Sequence, residues 1–141
     1  MLMGKPADPS DADSVIEYGL KVYGVIGSPG FPQDQGELRQ RIARNFQRSY
    51  HPAGTARQLL AIIASGDRRR LLPRIKTPTL VIHGADDKLV PVAAGRETAH
   101  HIPGAALKII PGMGHDLPPG LQAIVAEAIV AHCRKAVGGN A

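Results

Sequence analysis

Thr79-Leu80-Val81-Ile82-His83-Gly84-Ala85-Asp86-Asp87-Lys88-Leu89-Val90-Pro91 and Gly112-Met113-Gly114-His115-Asp116-Leu117-Pro118 are the two stretches whose reading decides the fold. The first is an apolar run that ends at a glycine followed by two acids. The second follows another apolar run, Ala105 to Ile110, and holds a histidine among glycines. Short apolar runs bounded by turn residues read as strands, here Thr79 to His83 and Ala105 to Ile110. Pro91 fits the first turn of an intervening helix to about His101, because its missing N–H has no intrahelical partner there. Pro103-Gly104 then turns the chain into the second strand. Strand, helix, strand is the pattern of parallel β/α units, whose loops carry chemistry at the carboxyl edge of the sheet. An acid and a histidine are therefore expected on one rim.

Outward from this unit, the chain changes character near Pro73. Before it, Asp11 to Tyr23 predicts a helix with Val15, Ile16, Leu20 and Tyr23 on one face. Asp34 to Ser49 predicts a second, with Leu38, Ile42 and Phe46 four residues apart. Pro29, Gly30 and Pro32 separate the two. A third helix, Thr55 to Ser65, is expected to bury Leu59, Leu60, Ile62 and Ile63 and to stop at Gly66. At the far end, Leu121, Ile124, Val125, Ala128, Ile129 and Cys133 mark a last helix to Val137, ended by Gly138-Gly139. The domain reading is thus a helical segment, 1–72, followed by a β/α portion, 73–141.

Composition narrows the function classes. With 141 residues, 43% hydrophobic, 21% charged and no tryptophan, the chain suits a globular domain with an aliphatic core. It is short against the roughly 200–250 residues common for a single α/β domain. No apolar run approaches the roughly 20 residues of a bilayer span, and the N-terminus lacks the apolar core of a secretory signal, so a cytoplasmic protein without membrane partners is expected. The net charge of +5 owes much to Arg68, Arg69, Arg70, Arg74 and Lys76 in one connecting segment. With no recognised nucleic-acid module beside it, this reads as a solvated linker, and no nucleic-acid partner is expected. The single cysteine, Cys133, reads as a packed or half-buried thiol.

The candidate base is His115, because the glycines around Met113 let the chain turn sharply after the strand and present an imidazole. For its acid, Asp86 and Asp87 compete on the residues alone, and a turn or capping aspartate before the Pro91 helix is the competing structural role. His100 and His101 suit a helix C-terminus, where positive charge complements exposed carbonyls. His83 reads as structural and His132 as a surface residue. No ligand set stands at metal-binding spacing and no phosphate-binding loop is present, so neither metal nor cofactor is expected.

These motifs carry a resemblance. Gly84, Asp87 and Pro91 align with the GxxDxxxP pattern of many α/β-hydrolases, and a histidine loop follows in the order that family uses. The whole chain resembles the C-terminal half of an α/β-hydrolase of the carboxylic-ester hydrolase or aclacinomycin methylesterase-like type. The resemblance implies a partial α/β-hydrolase fold in which a helical cap precedes two parallel β/α units. It selects Asp87 as the acid that orients His115 as the base of an ester-hydrolysing triad. It also makes Val25, Ile26, Phe31 and Phe46 candidates to roof an acyl pocket, with core packing within the cap as the competing role for each.

The chain departs from the family in its nucleophile. No GxSxG turn occurs. Ser28, in Ile26-Gly27-Ser28-Pro29-Gly30-Phe31-Pro32, has no clear strand before it and prolines where the helix of a nucleophile elbow must start. A truncated serine ester hydrolase, acting on a small-molecule ester only when completed by an N-terminal half, is the leading expectation. A non-catalytic, self-associating module of the same descent is the alternative. Two strands leave both sheet edges unpaired, so a homo-oligomer is expected.

Overall fold

The computed structural model of the chain describes residues 4–138. The element order is α1 (Ala12–Ile26), α2 (Gln35–Arg48), α3 (Pro52–Ser65), a 3₁₀ turn (Leu72–Arg74), β1 (Leu80–Gly84), α4 (Val92–His101), β2 (Ala106–Ile110) and α5 (Pro119–Gly138). The chain divides into two compact units, one made of 1–25 and 33–68, the other of 26–32 and 69–141.

In the helical unit, Asp34 caps α2 by accepting a hydrogen bond from the Glu37 N–H at 2.8 Å. The core is the predicted face: Ile16, Leu38 and Ile42 are buried, with Leu20, Tyr23 and Ala43 packed against them. The spacing of three to four residues places these side chains on one stripe of each helix, and their burial draws α1 and α2 together. Arg41 lies over the Tyr23 ring, and an ion pair joins Arg39 to Glu17.

α3 corrects an expectation. It forms, begins at Pro52 and is closed by Gly66, but none of its residues is buried. Leu60, Ile62 and Ile63 are 65%, 57% and 67% exposed. Helical periodicity reports that an apolar face exists; whether anything covers it is settled by tertiary contacts.

In the second unit, β1 and β2 pair in parallel with Leu80 opposite Ala106 and Gly84 opposite Ile110. They form a two-stranded sheet with α4 as the crossover. Both α4 and α5 pack against β1. Ile102, Ile110 and Leu121 are buried, and Pro118 and Leu121 are almost completely enclosed. Pro91 stands one place earlier than predicted, as the residue before α4, with an extended ψ of 143°. The proline ring fixes only φ, so this boundary position satisfies it equally well.

The inner stripe of α5 also differs from the expected one. Leu121, Ile124, Val125, Ala128 and His132 are the shielded positions, while Ile129 is 47% exposed and Cys133 is exposed. Stepping from 128 by four instead of five residues keeps the stripe on one side. His132 is therefore half-buried and not a surface residue as expected, and its Nε2 is buried with no hydrogen-bond partner among the described residues. Among the described residues, no helix is long and apolar enough to cross a membrane.

Candidate active site

The parallel register places the ends of both strands side by side, and each opens directly into a loop. Ala85 N–H donates to the Ile110 carbonyl at 3.0 Å, so the chain leaving β1 is still held to the end of β2. One step further, Asp86 N–H donates to the Met113 carbonyl at 3.0 Å, and the Asp86 carboxylate accepts from Gly112 N–H at 2.8 Å. Asp86 is thus a brace between the two loops and not the cap of α4. Gly112 has φ +76°, a conformation that glycine adopts without the steric cost of a side chain.

Asp87 faces the other way, and its side chain is 5% exposed. One of its oxygens, Oδ1, accepts the N–H groups of Leu89 and Val90 at 2.9 and 2.8 Å, which closes the acid loop on itself. The other, Oδ2, lies 2.8 Å from Nδ1 of His115. Burial alone would raise the Asp87 carboxyl. Hydrogen bonds from Val90, His115 and Leu89, with the charge of His115, outweigh burial and hold it below its ordinary value of 3.8. An ionised carboxylate only accepts hydrogen bonds, so Nδ1 of His115 carries the proton. The Nε2 lone pair is then the basic site of the ring. The His115 side chain is 41% exposed, so its ring is open to solvent.

Behind the acid loop, His83 sits with Nε2 2.9 Å from the Val90 carbonyl and 3.7 Å from Asp87 Oδ2. A carbonyl requires a donor, so His83 donates Nε2–H to the Val90 carbonyl, and Asp87 Oδ2 at 3.7 Å lies beyond hydrogen-bond reach. His83 supports the loop that holds Asp87, in keeping with a structural reading. An open cavity of about 450 Å³ adjoins the pair, with Ile82, Val90, Met113, Leu117 and Val125 among its apolar lining residues. His100 and His101 occupy the last turn of α4, away from this lining. Among the described residues, no group of three or more histidines, cysteines or acids is placed to hold a metal ion.

The structure adds residues that the sequence pattern does not flag. The segment 26–32 lies along the histidine loop: Gly30 N–H donates to the Gly112 carbonyl at 2.9 Å, and His115 N–H donates to the Ile26 carbonyl at 2.7 Å. Gly114 is buried against this segment so closely that a Cβ would collide with the carbonyls of Ile26 and Gly27. Ser28 is 7% exposed; its hydroxyl accepts from Gly114 N–H at 2.9 Å and donates to Asp116 Oδ1 at 2.6 Å. That proton is engaged by a carboxylate inside a hydrogen-bonded turn, which is not the setting of an exposed nucleophile. A serine between glycine and proline reads locally as a turn residue, and nothing in its neighbourhood of sequence announces partners 86 and 88 positions away.

Residues 31–119 match the family described as serine aminopeptidase, S33. Among curated proteins, the chain is 30% identical over 138 residues to rhodomycin D methylesterase DauP of Streptomyces sp. (strain C5), covering 96% of this chain and 45% of that protein. It is 31% identical over 132 residues to rhodomycin D methylesterase DnrP of Streptomyces peucetius, covering 91% and 43%. The chain therefore spans a little under half the length of these relatives. A solved structure of a serine hydrolase involved in carbazole degradation superposes with a TM-score of 0.62 at 22% identity, covering 90% of this chain and 48% of that one. The esterase RhEst1 from Rhodococcus sp. ECU1013 does so with a TM-score of 0.56, also at 22% identity.

Proposed function

The chain belongs to the α/β-hydrolase family described as serine aminopeptidase, S33, and from that membership we propose that it carries the acid and the base of an ester-hydrolysing site whose nucleophile lies outside these 141 residues. The observation that carries this reading is the 2.8 Å contact between Asp87 Oδ2 and His115 Nδ1 at the end of two registered strands. Asp87 fixes the tautomer, and His115 Nε2 removes the proton of a serine hydroxyl as its oxygen attacks the ester carbonyl. The imidazolium so formed lies against the Asp87 carboxylate. It returns the proton to the departing alcohol, leaving an acyl-enzyme, and the same nitrogen then activates the water that releases the acid. The apolar lining of the adjoining cavity favours an ester with an apolar portion.

The test is to fuse the chain behind the N-terminal portion of a family ester hydrolase that holds the serine elbow, and to assay short-chain nitrophenyl esters. Turnover is expected from the fusion and not from the isolated chain. His115→Ala is expected to lower kcat by on the order of 10⁴-fold or more. A folded fusion whose turnover ignores that substitution contradicts the proposal. A second reading, a self-associating module of the same descent, has one observation in its favour: the outward apolar face of α3.

A further inference from the structure

We propose that Ser28 is a positioning residue for His115, acting through the histidine's two neighbours in the chain. The inference rests on reading His115 as the base, and it assigns Ser28 a role distinct from the nucleophile for which it is unsuited. His115 is 41% exposed, so side-chain packing is a weak restraint on its ring. Its direction must come largely from the backbone that carries it and from the Asp87 hydrogen bond at its far end.

The Cα–Cβ direction of residue 115 is set by the peptide groups on either side. Ser28 reaches both neighbours with one atom: Oγ accepts from Gly114 N–H at 2.9 Å and donates to Asp116 Oδ1 at 2.6 Å. Between those two bonds, His115 N–H is held by the Ile26 carbonyl at 2.7 Å. Three consecutive residues of the histidine loop are thus pinned by a three-residue stretch of 26–32, and Gly30 to Gly112 adds a fourth attachment at 2.9 Å. Ser28 is the only one of these anchors that works through a side chain, so it is the one that mutation can remove. A buried hydroxyl with both a donor and an acceptor bond is a rigid fixture, because losing it strands a buried Gly114 N–H. Holding a base within a few tenths of an ångström of its acid is what such an outer support supplies.

The charge state of Asp87 reports whether the support works. The titratable groups facing Asp87 are His115 at 2.8 Å and His83 at 3.7 Å, and its remaining bonds, from Leu89 and Val90, lie within its own loop. Displacing His115 removes its share while the loop bonds stay. The experiment is a carbon-13 NMR titration of the Asp87 carboxyl in the full chain, comparing wild type, His115→Ala and Ser28→Ala. His115→Ala sets the upper limit of the expected upward shift. Ser28→Ala, folded by circular dichroism, is expected to reproduce a substantial part of it.

A merely structural serine would lower the unfolding midpoint and leave the Asp87 titration where it is in wild type. That result in a folded Ser28→Ala chain overturns the proposal. If Ser28→Ala does not fold, Asp116→Ala removes one of the two bonds; an upward shift is expected, and a wild-type titration overturns the proposal equally. The readout needs neither substrate nor nucleophile. A failed ester assay therefore leaves it standing, and an unchanged titration leaves the proposed chemistry standing.

Discussion

At the scale of single residues, Asp87 combines two duties usually divided between neighbours. Oδ1 closes its own loop through the Leu89 and Val90 N–H groups, while Oδ2 meets His115. Because its folded carboxyl titrates below the ordinary 3.8, the ionised form stabilises the fold. This contribution is fully present above that value and is lost as pH falls through the lowered folded value. Other carboxylates titrate in the same range, so the informative quantity is the stability difference between wild type and Asp87→Asn in urea. That difference is expected to be larger at pH 6 than at pH 2.5, and equal differences would contradict the hydrogen-bonded picture. The choice of Asp87 over Asp86 came from the GxxDxxxP pattern, since adjacent aspartates carry no local mark of which will face the histidine. The structure turns them to different tasks, with Asp86 bonded to Gly112.

At the scale of elements, what was legible followed from patterns that need only local sequence. The strands, the crossover helix and the amphipathic pair α1 and α2 stand close to where apolar spacing puts them, because period and burial agree there. Ile16, Leu38 and Ile42 form the core of that pair. α3 shows where such reasoning ends: its four apolar residues are spaced as a helix face should be and are left outward. Substitution should separate the cases. Leu38→Ala is expected to lower stability by about 2–5 kcal/mol, through lost burial and the cavity left behind. Leu60→Glu or Ile63→Glu in dilute solution should change it by no more than about 0.5 kcal/mol. If α3 mediates self-association, those glutamates also lower the mass seen by light scattering. A large loss of stability from the glutamates in a monomer would show that the face is covered within the chain. The same limit of local reading hid the segment 26–32, whose bonds to the histidine loop join residues more than eighty positions apart.

At the scale of the whole molecule, the site is a consequence of topology. The crossover through α4 lays β2 beside β1 in parallel, so both strands end at one edge and their loops must meet. The sequence could be read this far because an acid loop and a histidine loop each follow an apolar run. It could not reveal the partners of Ser28 and His83, which are brought close only by folding. The central claim is that Asp87 acts through His115 as one unit. The most direct measurement is a double-mutant cycle in kcat/KM, made in the fusion that supplies a serine elbow, with Asp87→Asn, His115→Ala and the pair combined. Asp87→Asn alone is expected to cost on the order of 10⁴-fold, and the combined variant to be no slower than His115→Ala, since the acid has nothing left to orient. Losses that multiply independently, or an Asp87→Asn enzyme as fast as wild type, would contradict it.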